Sequence, residues 1–223
     1  MLTTKTYKIG KILGIPTYVD MSFLFIAIVA LVNTRNPLIG ILVALGLGVS
    51  ILAHEFGHSL TARKYGFRTR QITLSMLGGC AMMEGIPRIP RQEIVVALAG
   101  PAVSAALSLC FLALAIATCW FEPLMSVFII LFAINAMLCV FNLLPGFPMD
   151  GGRILRAWLC RKKSRPDATY TAMLVGRVFA CLIAGWGIVN ILTGNLGGLT
   201  QLLIAWFIWK ASWQEYVMAV YGG

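Results

Sequence analysis

Charge is what this sequence has least of. Only 12% of its 223 residues are Asp, Glu, Lys or Arg and 59% are hydrophobic, where soluble domains carry about 25% charged residues. That balance excludes an ordinary soluble protein and predicts an integral membrane protein, with one compact domain expected at this length. Histidine is scarcer still: there are two, beside eight acidic residues, so a metal site has few ligands to draw on. The six cysteines, Cys80, Cys110, Cys119, Cys139, Cys160 and Cys181, stand singly with no CxxC pair. Their spacing excludes a zinc ribbon and a disulfide framework, and their apolar neighbours suit small, buried, reduced side chains.

Apolar runs are what the chain has in plenty. A crossing needs about 20 residues, and six spans are expected, at approximately 17–33, 38–62, 94–120, 124–144, 171–192 and 199–213. The fold class expected is an all-α membrane protein, a polytopic bundle of six transmembrane helices, with a small β-hairpin or sheet at the cytoplasmic side. The hairpin is read from the alternation in 71–77, QITLSML, followed by Gly78-Gly79 and Cys80 to Met83. An open sheet edge cannot face lipid, which places the hairpin at the interface or in a protein-lined cavity. Residues 1–20, with Lys5, Lys8 and Lys11, suit a short strand or interfacial segment, and Asp20 at the junction argues against a cleaved leader. Arg35 to Pro37 reads as a turn and 153–167 as a polar, basic connection. Trp206, Trp209 and Trp213 recur at helical spacing, as an interfacial belt or a packing face would.

The 18 Lys and Arg give a formal charge of +10, but the inter-span segments on one side hold Arg35 alone. The basic residues gather on the side of the N-terminus, so both termini are expected in the cytoplasm. The basic excess is therefore an orientation signal, aided by anionic lipids, and nucleic acid is not needed to explain it.

The two histidines lie in 52–60, LAHEFGHSL. On a helix, His54 and His58 are four residues apart and share a face, so both imidazoles can reach one ion, with Glu55 at the rim. Neutral imidazole is a good zinc ligand, a catalytic zinc keeps a position open for water, and an adjacent carboxylate can take the proton. Satisfied core histidines are the bland alternative. The cost of burying two histidines and a glutamate in apolar sequence favours a metal site. A third protein ligand is usual, and with no other histidine it must be a carboxylate or a cysteine. Asp20, Glu84, Glu93, Glu122, Asp167 and Glu215 sit at span ends or in polar segments. Asp150 instead follows an apolar span among prolines and glycines, an irregular backbone that survives at membrane depth only where it lines a cavity. The expected topology brings it to the side where the second span ends, so His54, His58 and Asp150 can meet.

With both stretches in view, the sequence resembles the site-2 protease family of intramembrane zinc metalloproteases. HEFGH is similar to that family's HExxH and NLLPGFPMDGG, at 142–152, to its NxxPxxPxDG. The order and separation agree, and the likeness extends over nearly the whole chain, including the Gly-Gly hairpin and Ala99-Gly100-Pro101. The resemblance implies that His54, His58 and Asp150 bind one zinc ion, that Glu55 is the general base, and that Asn142 lies close to the active site, where it holds the substrate backbone or the oxyanion. It implies a single transmembrane metalloprotease domain over 1–223 in the lipid bilayer. The site is reached from the cytoplasm, and a transmembrane protein substrate is cleaved in or near its membrane segment. The hairpin serves as a strand partner for the unwound substrate, and the first span and the last two part to admit it. Many members carry asparagine where this chain has Ser104, which leaves that position without an assigned role. The rival readings are a metal-binding membrane protein or transporter, which calls for ligands strung along the spans, and a silent relative acting as a scaffold.

Overall fold

The computed structural model describes residues 5–34, 36–75, 78–85 and 87–221. The expected turn at Arg35 and the end of the 71–77 alternation lie outside them. Among the described residues the chain is mostly helical, with seven helices and a four-stranded sheet. In order these are β1 (Thr6–Ile12), β2 (Ile15–Asp20), α1 (Phe23–Asn33), α2 (Pro37–Lys64), β3 (Thr69–Ser75), β4 (Gly78–Met83), α3 (Pro90–Ala117), α4 (Glu122–Asn142), α5 (Asp150–Leu159), α6 (Arg165–Leu192) and α7 (Gly198–Tyr221). They gather into two compact units, Met1–Pro87 with Ala99–Val140, and Arg88–Leu98 with Phe141–Gly223.

In the first unit the sheet runs β1-β2-β3-β4. The β1–β2 hairpin turns on Leu13 and Gly14, both at positive φ, the twist that two-residue hairpin loops prefer. β2 pairs parallel with β3, Thr17 opposite Ile72, and β3 pairs antiparallel with β4, Ser75 opposite Gly78. One face of the sheet closes a core of Ile15, Phe56 and Ile72, with Leu52, Leu60 and Ala81 packed around it. Phe56 belongs to HEFGH, so the sheet is pressed against the stretch of α2 that carries the histidines. Asn36 caps α2 by accepting from the Leu38 amide at 2.9 Å, Pro37 follows as the first helical residue, and Arg63 and Lys64 close the last turn, where cations suit the helix dipole. Farther along, Val43 of α2 packs with Val127 and Leu131 of α4.

In the second unit α6 and α7 run antiparallel. Gly187 and Gly198 face each other so closely that a Cβ on either would meet the other's carbonyl oxygen, and Asn190 Nδ2 donates to Gln201 Oε1 at 2.8 Å. At the other end the rings of Tyr170 and Tyr216 lie 5.4 Å apart.

Several expectations need correcting. The first span was expected at 17–33, but Thr17 to Asp20 belong to β2 and the helix begins only at Phe23. The reason is local: Asp20 is buried, its carboxylate accepts from the Ser22 amide at 2.8 Å, and β2 is held by β3. The 11-residue α1 reaches about 16 Å at 1.5 Å per residue, short of a crossing. Four described helices are long and apolar enough to cross a membrane: α2, α3, α4 and α6. α7 has 24 residues but carries Gln201, Lys210, Gln214 and Glu215, and it is not among them. The connection read over 153–167 is mostly helix, because α5 occupies Asp150–Leu159 and α6 already starts at Arg165. The small β-hairpin or sheet that was expected is a sheet of four strands, the hairpin β3–β4 joined by β1 and β2. The cysteines are free but not buried: Cys80, Cys110, Cys119 and Cys181 are exposed and Cys139 and Cys160 intermediate. Cys110 and Cys181 lie on crossing helices, whose outer faces meet lipid, so exposure there costs nothing.

Candidate metal centre

α2 is one unbroken helix across 52–60, which puts His54 and His58 on one face as their spacing predicts. Both are buried, their Nε2 atoms lie 3.1 Å apart, and the ring centroids are 4.8 Å apart at 79°. His54 Nδ1 is 2.9 Å from the fully buried Ser104 hydroxyl of α3. With Nδ1–H donating to that oxygen, the lone pair of His54 sits on Nε2, the nitrogen turned toward His58. Fixing a ligand's tautomer through its other ring nitrogen is how protein sites prepare histidine for a metal.

α3 reaches the imidazoles because Gly100 has no side chain. A Cβ there would run into Nε2 of both His58 and His54. Gly57, inside HEFGH, performs the reciprocal service, since a Cβ there would press on the Ala99 carbonyl and Val103. Glu55, half-buried, projects toward β4, whose backbone passes so near that a Cβ on Gly79 would strike the Glu55 side chain. One turn before His54, the buried Ser50 accepts from Nδ2 of Asn135 on α4 at 2.9 Å, which ties α2 to α4.

In the second unit Asp150 is the first residue of α5 and is buried. The positive end of a helix favours a carboxylate there. The preceding loop is packed against its own backbone: a Cβ on Gly151 would meet the Leu144 carbonyl oxygen, and one on Gly152 would lie 2.6 Å from the Phe147 amide. The fully buried Phe147 donates its amide to the Ala172 carbonyl of α6 at 3.2 Å. Arg156 anchors the rest of α5. It is buried, its Nε donates to Glu93 Oε1 at 2.8 Å, and its guanidinium lies 4.9 Å above the Phe147 ring. Arg165, at the start of α6, reaches the same carboxylate at 3.1 Å, and Glu215 of α7 lies 3.7 Å from Arg156. Burial pushes the Arg156 pKa below its ordinary value, against the pull of Glu93 in the other direction. Asn142 is the last residue of α4 and is half-buried.

The structure therefore brings His54, His58, Gly100 and Ser104 together, and Glu55 with Gly79, in the first unit; Asp150 and Asn142 lie in the second. The sequence reading named Ser104 and Gly100 without giving either a role, and it missed the Ser50–Asn135 bond and the Glu93–Arg156–Arg165 cluster, whose one visible signal was polarity within or beside apolar runs.

Comparison with known proteins takes the site further. The description of Peptidase family M50 matches residues 42–126 and 116–183, more than half of the chain and all of both motifs. The chain belongs to peptidase family M50. Among M50 relatives, the zinc metalloprotease MJ0392 of Methanocaldococcus jannaschii is 32% identical over 213 residues, 93% of this chain and 60% of that protein. Relatives from Mycobacterium tuberculosis and Synechocystis are 38% and 36% identical, over 45% and 57% of their own lengths. The chain thus spans about half the length of the curated relatives it matches. A solved structure, the site-2 protease from Methanocaldococcus jannaschii, superposes with a TM-score of 0.68 at 29% identity, covering 95% of each chain. The expected site-2 protease membership holds, and with four crossing-length apolar helices this M50 member is a membrane protein.

Proposed function

We propose that the chain is an intramembrane zinc endopeptidase that hydrolyses a peptide bond within or near the transmembrane segment of a membrane-protein substrate. The observation that carries this is the pair of buried imidazoles with Nε2 atoms 3.1 Å apart, one of them fixed through Nδ1 by Ser104. That separation allows a hydrogen bond between the rings, and it is also close to the roughly 3.3 Å expected between two nitrogens on one tetrahedral zinc. The donor set fits zinc: two imidazoles and one carboxylate, His54, His58 and Asp150, each of them buried. Two histidines and one carboxylate match a catalytic zinc's three protein ligands.

When bound there, zinc supplies a Lewis acid for the scissile carbonyl and for a water molecule. Glu55, next in sequence to His54 and about 100° around the helix from it, takes the water's proton and passes it to the departing amine. Asn142 holds the substrate backbone or the oxyanion. β4 is an edge strand whose Gly79 backbone lies against Glu55. An unwound substrate segment that adds to this edge presents its amides as a strand, each carbonyl released from helical hydrogen bonding. The whole of 1–223 acts as one transmembrane domain, with both termini in the cytoplasm and water entering from that side. The test is incubation of the purified, zinc-loaded protein in detergent with candidate single-pass substrates, with and without a chelator. Cleavage that stops on chelation and returns with zinc is expected; chelator-insensitive cleavage overturns the reading.

A further inference from the structure

Arg177 has no place in the chemistry above. It is the last charged residue of α6, and VFACLIAGWGIVNIL follows it without a charge. Its Nε is buried without a hydrogen-bond partner, and among the described residues it forms no ion pair. Its guanidinium instead lies over two indoles of α7, 4.3 Å from the Trp209 ring and 5.0 Å from that of Trp213. An intramembrane cation without a counter-charge is costly and marks a functional position by default.

The neighbouring geometry indicates what supplies the missing charge. The contacts Tyr170 to Tyr216 and Asn190 to Gln201 fix the antiparallel register of α6 and α7, which sets Arg177, Trp209 and Lys210 at one level. Lys210 lies 5.2 Å from the Trp206 ring and is exposed. From that level a shallow, open groove of about 260 Å³ runs along the helix pair toward the apolar end of α6, lined by Ala180, Cys181, Ala184, Leu202, Ala205 and Trp206. Its lining is apolar. Tryptophans gather where headgroups meet hydrocarbon, and the groove continues from there into the hydrocarbon side.

We infer that the α6–α7 face binds one anionic phospholipid, with its phosphate on Arg177, aided by Lys210, and an acyl chain in the groove. A free anion has no use for the groove, and a zwitterionic lipid brings its own cation beside Arg177. This site is separate from the proteolytic one and stands whether or not the chain cleaves peptides.

The test uses the purified full chain in phosphatidylcholine vesicles containing a fixed share of phosphatidylglycerol, with bromine on the acyl chains of one lipid or the other, read by tryptophan fluorescence. Brominated phosphatidylglycerol is expected to bind the tryptophans with about a five-fold preference, the scale of one cation near a membrane surface. Arg177→Gln should bring the preference close to one, and Arg177→Lys should keep most of it. Replacing Trp206, Trp209 and Trp213 together with Phe should remove the selective quenching while Trp120, Trp158 and Trp186 respond to both lipids alike. Equal quenching by the two lipids overturns the proposal, as does a preference that survives in folded Arg177→Gln, because the guanidinium then serves only to pack the indoles. Loss of the preference on adding inorganic phosphate turns the site into an ion site and overturns the lipid assignment. Should Arg177→Gln not fold, Lys210→Gln decides: the proposal requires a preference lowered about two-fold, and an unchanged one counts against it.

Discussion

Ser104 and Gly100 lie against His54 and His58 and act on these proposed ligands without being ligands themselves. Removing the hydroxyl by Ser104→Ala releases the His54 ring and its tautomer, and zinc affinity should fall about 10- to 100-fold, the usual effect of losing a partner behind a ligand. Competition with a chelator dye measures it. Gly100→Ala should act more severely, because the added methyl occupies the space of both Nε2 atoms; metal content after purification should drop to background. Glu55→Gln separates chemistry from binding: zinc is retained by elemental analysis and cleavage is lost. Asp150→Asn should do the opposite to binding, weakening zinc retention, and unchanged metal content would point to another third ligand. The histidines, Glu55 and Asp150 stand out in the sequence because a fixed spacing or an odd position in apolar sequence marks them by itself. Ser104 and Gly100 do not, because their role exists only once α3 lies against α2, and nothing in a serine or a glycine among small residues declares which neighbour it will meet.

At the level of elements, α5 is held by charge. Glu93 and Arg156 are both buried, and a buried pair that loses one partner leaves an uncompensated charge at a cost of about 3–5 kcal/mol. Glu93→Gln should therefore lower the thermal midpoint in detergent strongly, whereas replacing Glu93 and Arg156 together by Leu should recover a large part of the loss. A double variant as unstable as the single one would show that packing, not charge, carries the effect. α5 escaped the sequence reading for a physical reason: a ten-residue helix opening on Asp-Gly-Gly has a poor intrinsic propensity, and its stability comes from the ion cluster. The β1–β2 hairpin was half legible, as an extended lysine-bearing segment. Its pairing with β3 joins residues about 55 positions apart, beyond what local alternation can reveal.

For the whole molecule, orientation rests on the distribution of 18 basic residues. Reporter fusions should show the C-terminus on the cytoplasmic side. Adding several lysines next to Arg35 should weaken that preference, since short flanking loops dominate orientation. The four long apolar helices were legible from composition alone. The two flanking ones were not, because a strand shortens α1 and polar residues interrupt α7.

The brevity of α1 bears on the membrane itself. A hydrocarbon layer is about 30 Å thick, roughly twice the reach of α1, and lipids beside a short apolar element compress to meet it at a modest cost per ångström. A thinned annulus on that flank would expose the ends of an arriving substrate helix to water and ease its unravelling. Reconstitution in lipids of decreasing acyl length should then raise the cleavage rate until the longer helices lose their own match, and a rate indifferent to chain length would show that α1 is shielded from lipid.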